Sequence, residues 1–445
     1  MLSDVITALA TPPGRSALAI VRLSGNDAHE CAAKLLAPFH PEPNRQNRLC
    51  SIRHPETSEV LDRAVYSVYA APNSYTGEDM VEISTHGGLI VPAGVLEASI
   101  AAGARQADPG EFTMRAVLNG KMDLLQAEAV ADLVDAGGPV QRKVAIHQLD
   151  RGLTSRIEKL RSDFLELEAL IGYDIDFPEE DSGPVSEERI LCSVGELRRS
   201  MAQLLRTAAE GERVREGALA VIAGRPNTGK SSLFNALLGK NRAIVTEIAG
   251  TTRDAIDGQV TCNGFPFRLV DTAGLCDSDD RVEREGIEVS RAYLQDADLV
   301  LFCVEAGREV TFDETEFIAD VLAPHILVRT MIDIGGSGRT EEFGVSSVSG
   351  EGIAELREAM AGAAFSALLN QADYEPLLTR ARHRVALARA SGELDEFESA
   401  IGSDLDIAIA STHILAAVSA LEDVIGVVTT EDVLGRIFSD FCVGK

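Results

Sequence analysis

The chain has 445 residues, 45% of them hydrophobic, enough for two to four domains with ordinary cores. Its 41 Lys/Arg against 70 Asp/Glu give a formal charge of −29, a field that repels phosphate backbones at long range and argues against a dedicated nucleic-acid-binding tail. Seven scattered cysteines, none in a CxxC pair, argue against a disulfide framework or a structural zinc site and fit a reducing cytoplasm.

No basic-then-apolar leader opens the chain, and no run of about 18 apolar residues occurs in it, so neither a signal peptide nor a membrane span is expected. Residues 1–120 mix short β-like runs (LAIVRLSG, AVYSVYA, MVEISTHG) with turn clusters such as PPGR and NSYTGED, the texture of an α+β domain. Residues 121–216 read as helical. Leu153, Ile157, Leu160, Phe164, Leu167 and Ile171 form one apolar stripe; IDFPEEDSGP at 175–184 reads as a turn; Ile190, Val194, Leu197, Met201 and Leu204 resume the stripe.

From 217 to 365 the strand-like runs ALAVIAG, FRLVD, DLVLFCVEA and HILVRT alternate with helical stretches, as in a parallel α/β sheet. Residues 366–445 return to helical texture, with Leu405, Ile409, Leu415, Val418 and Leu421 among the apolar positions. Two amphipathic blocks flanking one α/β unit pack most simply on each other, making that unit an insertion and bringing the end of the chain back toward its first half.

GRPNTGKS, 224–231, matches GxxxxGK[ST] between a strand and a helix. There the glycines let backbone N–H groups approach the β-phosphate, Lys230 neutralises β/γ charge and Ser231 ligates Mg²⁺. DTAG, 271–274, ends FRLVD; Asp271 would hold Mg²⁺ through its shell and the Gly274 amide would reach the γ-phosphate. Between them lies AGTTRD, 249–254, whose Thr252 completes the metal shell only with γ-phosphate present, which makes a switch.

Guanine sites usually read NKxD. Here HILVRTMID offers Thr330, Met331 and Asp333. Asp333 keeps the discriminating carboxylate, Met331 could cover the ring face, and Thr330 replaces a two-sided amide, so GTP is expected with weaker retention; ATP is the other base choice. SSVSGEG, 346–352, falls where such domains place the loop over the guanine carbonyl. Leu275 stands where Ras-like switches place a water-orienting glutamine, so hydrolysis needs help from elsewhere. Glu283 in RVEREG and the carbonyl of Asn227, as ligand of a monovalent cation, are candidates, although read bare each is an ordinary solvated or capping residue.

PNTGKS, AGTTRD and DTAGL, with ATPPGRSALAIVRLSG (10–25), PNSYTGEDMVEISTHGG (72–88), PGEFTMRAVLNGKMDLLQAEAVADLVDA (109–136) and LGRIFSDFCVGK (434–445), closely resemble the MnmE (TrmE) family of tRNA-modification GTPases over the whole length. The resemblance implies a multidomain fold: an α+β folate-binding-like, dimerising N-terminal domain and a helical domain interrupted by an inserted Ras-like α/β P-loop GTPase domain. It implies action with the flavoprotein MnmG (GidA), as homodimer within a heterotetramer, on tRNA. The product would be an aminomethyl or carboxymethylaminomethyl group on wobble uridine, its carbon drawn from a tetrahydrofolate derivative, 5,10-methylene- or 5-formyl-tetrahydrofolate.

Carried onto this chain, the GTP/GDP site comprises Asn227, Thr228, Gly229, Lys230, Ser231 and Ser232; Thr246, Glu247, Ile248, Ala249, Gly250, Thr251 and Thr252; Asp271, Thr272, Ala273 and Gly274; and Thr330 and Asp333. Ser231 and Thr252 would hold Mg²⁺. Asn227, Thr246, Ile248 and Thr251 would hold K⁺, with Lys230 and Glu283 catalytic. The implied folate contacts are Arg22, Glu82, Lys121 and Lys445: a carboxylate suits a pterin N–H edge, and Arg and Lys suit glutamate-tail carboxylates.

A ribosome-assembly switch of the Era or Der type and a folate-dependent C1 transferase with a regulatory GTPase are the competing readings. The absence of a basic RNA-binding domain weighs against the first. The closing FCVGK is a poor prenylation box, with Gly444 and Lys445 at its last two positions and no polybasic stretch before it. If the terminus reaches the folate pocket, Cys442 is a candidate catalytic thiol; a buried structural cysteine is the alternative.

Overall fold

The computed structural model describes residues 4–42, 47–176, 187–239, 257–271, 293–335, 343–369, 376–403, 407–427, 431–439 and 441–444. Two compact units emerge: Met1–Ala131 with Glu422–Lys445, and Asp132–Leu421.

The first unit is built on strands β1 (Ile6–Leu9), β2 (Gly14–Ser24), β3 (Leu36–Ala37), β4 (Arg48–Arg53), β5 (Val60–Tyr69), β6 (Met80–Gly88) and β7 (Arg105–Gln106). They form one sheet in the order β3-β4-β5-β6-β2-β1-β7, antiparallel except for the β1–β7 pair. Because side chains alternate across a strand, Val21 and Leu23 of β2, Val81 and Ile83 of β6 and Tyr66 and Val68 of β5 share one buried core with Ala28, Cys31 and Ala32 of helix Ala28–Ala33 and Val95 and Ala98 of helix Ile90–Ala101. The intervening residues Arg22 and Glu82 face the other way and are direct cross-strand partners. A second cluster joins Leu124 and Ala127 to Leu434, Phe438 and Phe441, fastening the C-terminal helix Glu431–Ser439 and the start of FCVGK into this unit.

The second unit holds β8 (Ala218–Gly224), β9 (Asp257–Cys262), β10 (Phe265–Asp271), β11 (Leu299–Glu305), β12 (His325–Thr330) and β13 (Phe343–Val345), in the order β13-β12-β11-β8-β10-β9. All pairs are parallel except β9–β10. The near-continuous apolar runs of β8 and β11 are buried along almost their whole length, as a sheet covered on both faces requires.

The same unit holds long helices that bear out the periodicity argument and pack on one another. Helix Gly152–Asp176 buries Leu153, Ile157, Leu160, Phe164, Leu167 and Ile171, and helix Glu187–Leu205 buries Ile190, Val194, Leu197, Met201 and Leu204. Helix Ala381–Gly402 packs on the second of these, Arg198 bonding Asp395 at 2.7 Å. The segment 177–186, which contains most of the expected turn, lies outside the described residues.

Helix Ile407–Ile425 forms as expected and buries Val418 and Leu421, but not every apolar position faces inward. Ile409 and Leu415 are 58% and 49% exposed, while Ala410, Ile414, Ala417, Ala420 and Leu421 are buried; Leu405 lies outside the described residues. The inward face alternates alanines with Ile414, Val418, Leu421 and Val424, and Ile409 and Leu415 fall outside its phase. This is the one helix among the described residues long and apolar enough to cross a membrane, but it carries His413, bonded to Glu393 at 2.7 Å, together with Glu422 and Asp423.

Candidate active site

The phosphate loop grows out of β8. Gly224, the last residue of the strand, has φ +141°, and a Cβ there would stand 2.5 Å from the Cys303 carbonyl oxygen of neighbouring β11. Only glycine fits both conditions. Asn227 (φ 64°) and Gly229 (φ 81°) are also left-handed and fold the loop onto the N-terminus of helix Lys230–Leu238. That helix start directs unpaired N–H groups and the positive end of its dipole at the loop.

The loop is closed on itself by the Arg225 carbonyl, which accepts from Lys230 Nζ at 2.7 Å and Thr228 Oγ1 at 2.8 Å. Lys230 is 6% exposed, so its ammonium lies in a site where charge interactions are poorly screened. Beside it Ser231 Oγ donates to Asp271 Oδ2 at 2.6 Å. Asp271 ends β10, which runs parallel to β8, and is 1% exposed. A hydroxyl from the helix start and a carboxylate from the neighbouring strand end are hard oxygen donors, the set that suits Mg²⁺. Ser232 follows on the same helix and is exposed.

At the other edge of the loop, Thr330 Oγ1 donates to the Thr228 carbonyl at 2.7 Å. Met331 follows at φ 59° and Asp333 is exposed in the short helix Ile332–Gly335. Ser346 is buried after β13, and its hydroxyl accepts from the Ser349 amide at 3.1 Å, shaping the SSVSGEG loop.

Thr246, Glu247, Ile248, Ala249, Gly250, Thr251, Thr252, Thr272, Ala273, Gly274, Leu275 and Glu283 lie outside the described residues. Of the expected K⁺ ligands only Asn227 is described, and it is exposed.

One group of residues at this site escaped the sequence reading. Arg225 Nη2 donates to Thr311 Oγ1 at 2.9 Å and its Nε stands 3.2 Å from Glu314 Oε1. Arg308 meets Glu314 with two hydrogen bonds, of 2.6 and 3.0 Å, which hold the Glu314 carboxyl down to about 2. Glu314 also accepts from the Thr311 amide at 2.9 Å, closing a capping box on helix Phe312–Asp320. The readable signal was the T-x-x-E spacing of Thr311 and Glu314; that its partner would be the phosphate loop was not readable.

The strand feeding the loop is fixed at its origin. Helix Ala208–Glu216 ends at Gly217, φ 86°, and β8 begins one residue later. Asp298 accepts from Arg213 Nε at 2.6 Å and from the Leu219 amide at 2.9 Å, bracketing the turn.

In the first unit, Arg22 Nε donates to Glu82 Oε1 at 2.8 Å, its Nη1 to the Gly444 carbonyl at 3.2 Å, and its guanidinium lies 5.7 Å from the Tyr75 ring centroid. Tyr69 donates to Glu82 Oε2 at 3.3 Å; burial, and then the Glu82 charge, push the phenol's pKa up. Tyr75 is bonded to Thr113 at 2.8 Å. Lys121 Nζ donates to the Pro72 carbonyl at 2.8 Å, on the same loop as Tyr75, and shares no hydrogen bond with Arg22 or Glu82.

The tail runs along this cluster. Val443 pairs with Pro109, and the Cys442 carbonyl accepts from the Gly110 amide at 3.4 Å. Gly444 is left-handed at φ +97°, and a Cβ there would meet the Leu9 carbonyl oxygen at 2.4 Å. Cys442 is exposed, so the buried structural cysteine is not what is found, while Lys445 lies outside the described residues. Behind the cluster, Arg115, 1% exposed, meets Asp4 at 2.8 Å, Glu111 at 2.9 Å and Glu78 at 3.3 Å. Burial alone would raise the Glu111 carboxyl; hydrogen bonds from Arg105, the Asp108 amide and Arg115 outweigh it and bring it below the ordinary carboxylate value.

Comparison with known proteins settles the family. Residues 5–121 match the family model for the GTP-binding protein TrmE N-terminus, and residues 124–442 match that for the MnmE helical domain. The chain belongs to the MnmE family. The tRNA modification GTPase MnmE of Aquifex aeolicus is 41% identical over 455 residues and that of Thermoanaerobacter sp. 37% over 462, each alignment covering 100% of both chains. Among solved structures, the G domain of the T. maritima FeoB iron transporter is 29% identical over 33% of this MnmE-family chain and 98% of that one, at a TM-score of 0.27. As a member of the family, the chain is a GTPase of tRNA modification, multidomain, with a TrmE-type N-terminal domain, a helical domain and a P-loop GTPase domain.

Proposed function

We propose that this MnmE-family GTPase is potassium-stimulated and works as a homodimer with an MnmG-type flavoprotein. Together they install an aminomethyl or carboxymethylaminomethyl group at C5 of wobble uridine, using carbon from 5,10-methylene- or 5-formyl-tetrahydrofolate. The observation that carries the nucleotide half is the 2.6 Å bond between Ser231 and Asp271 beside a nearly buried Lys230. The four-part division at 120, 216 and 365 belongs to the same proposal, as does a cytoplasmic location.

In the hydrolytic step water attacks the γ-phosphorus, the bond to the β–γ bridging oxygen breaks, and GDP and phosphate leave. Lys230 and the helix N-terminus stabilise charge building on the β- and γ-oxygens. Ser231 and Thr252, with Asp271 behind, would hold Mg²⁺, which would supply further neutralisation. Asn227, Thr246, Ile248 and Thr251 would hold K⁺, which would supply the charge that an arginine finger gives elsewhere, and Glu283 would orient the water. The remaining members of the GTP set carried over above line the phosphates and base.

In the folate half, Arg22, Glu82, Lys121 and Lys445 bind the cofactor. Glu82 accepts from Arg22 and Tyr69, which orient its carboxylate for a pterin N–H edge. The proximity of Gly444 to Arg22 supports a tail that lies along this site, where Cys442 supplies a thiol. The Era or Der alternative is not favoured, because the relatives that match over full length are tRNA modification GTPases.

Mass spectrometry of tRNA nucleosides from a deletion strain tests the proposal. Wobble modifications should vanish, return with the wild-type gene, and stay absent with Lys230→Ala or Cys442→Ser; unchanged uridines in the deletion strain would refute it. GTP turnover equal in Na⁺ and K⁺ would remove the potassium assignment.

A further inference from the structure

Thr330 stands where a guanine site usually carries an amide, and its hydrogen bonds show what it does instead. Its side chain is 2% exposed, with Oγ1 2.7 Å from the Thr228 carbonyl oxygen and 3.4 Å from that of Val304. A hydroxyl has one proton to donate. The Thr228 bond has ordinary O–H···O length and takes it; the Val304 distance is too long to compete.

The acceptor is well placed to matter. Thr228 directly precedes Gly229, the left-handed N-cap of the helix that carries Lys230, and its own hydroxyl is tied to the Arg225 carbonyl at 2.8 Å. Thr330 therefore pins β12 to the phosphate loop two residues before the catalytic lysine. Met331 reinforces the junction: a Cβ on Gly229 would lie 3.2 Å from Met331 Cε and 3.6 Å from Thr330 Cβ.

We propose that Thr330 is a positioning residue for the phosphate loop that does not read guanine N7, which leaves base selection to Asp333 on the N1–H and N2-amino edge and to the SSVSGEG loop at the carbonyl. The inference rests on the GTPase reading above and deepens it. Guanine N7 and O6 are acceptors. An asparagine has two N–H donors and could hold the Thr228 carbonyl with one while offering the other to N7; a threonine whose only proton is committed cannot.

The test compares GTP with 7-deaza-GTP, in which N7 is a C–H, in full-length wild type and three variants. Wild type should show kcat/KM values for the two nucleotides within about twofold. Thr330→Asn should turn over GTP better than 7-deaza-GTP by about fivefold or more, as expected for one added hydrogen bond. Thr330→Val, which keeps the shape and removes the proton, should lose about tenfold on both nucleotides equally. Thr330→Ser should restore both, which separates the tether from a packing defect.

A wild-type preference for GTP over 7-deaza-GTP that Thr330→Val abolishes would show that Thr330 reads N7 and overturn the proposal. So would Thr330→Val turning over both nucleotides at wild-type rates. Wild-type protein that hydrolyses neither nucleotide would refute the GTPase reading itself, and the inference with it.

Discussion

The phosphate loop and the terminal-tail cluster are both candidate sites, yet they are assembled in opposite ways. The loop is eight consecutive residues whose backbone does most of the work, with glycines at 224 and 229 permitting conformations that no other residue adopts without strain. The tail cluster joins Arg22, Tyr75, Glu82 and Gly444, and Gly444 is separated from Arg22 by 422 positions. A contiguous site is specified by local conformation and survives wherever its strand and helix are formed. A dispersed site exists only when the whole unit is folded, because its geometry is a by-product of sheet register and of two packed phenylalanines, Phe438 and Phe441.

The largest expected effect breaks the loop and leaves the fold. Lys230→Ala should lower GTP turnover by about 10²–10³-fold, the magnitude typical of removing one preorganised electrostatic contact, with an unchanged unfolding midpoint. Phosphate release and circular dichroism would read the two. A matching loss of stability would mean that the Lys230–Arg225 bond is structural.

Next comes a blow to the dispersed site through its frame. Arg115→Ala opens a buried void and removes a partner of Asp4, Glu78 and Glu111, two of which Arg105 still holds, so it should destabilise the first unit toward the low end of about 3–5 kcal/mol. Denaturant unfolding followed by a probe in each unit should show the first transition shifting while GTP turnover persists. Simultaneous loss of both would show that the units unfold together.

The smallest effect concerns acid. The Glu314 carboxyl is depressed to about 2 in the folded chain, below its unfolded value of roughly 4.3. Its contribution is therefore fully present above the unfolded value and is lost as pH falls toward about 2. Glu314→Gln should flatten that part of the stability-versus-pH curve and leave the neutral region almost parallel to wild type. An unaltered acid limb would show that Glu314 does not carry the effect.

The same contrast explains what could be read without coordinates. The motif residues, the strands ending at Gly224, Asp271 and Thr330, and the two helical stripes from Leu153 to Leu204 depend on short-range pattern, and they were legible. In the helix Ile407–Ile425 nearly every position is apolar or small, so composition alone did not give the phase that turns Ala410, Ile414, Ala417 and Leu421 inward and leaves Ile409 and Leu415 exposed. The Arg225–Glu314 contact and the meeting of Gly444 with Arg22 depend on distant segments, and no periodicity announces them. Thr330 looked like a weakened base contact until its partner, the Thr228 carbonyl, was seen.

Asp298 has a mechanical consequence. It grips helix Ala208–Glu216 through Arg213 and β8 through the Leu219 amide, at 2.6 and 2.9 Å. Any torque applied along that helix must rupture a charged hydrogen bond or be delivered to the strand whose far end is the phosphate loop. Over this stretch the helix and the strand form a stiff crank rather than a hinge.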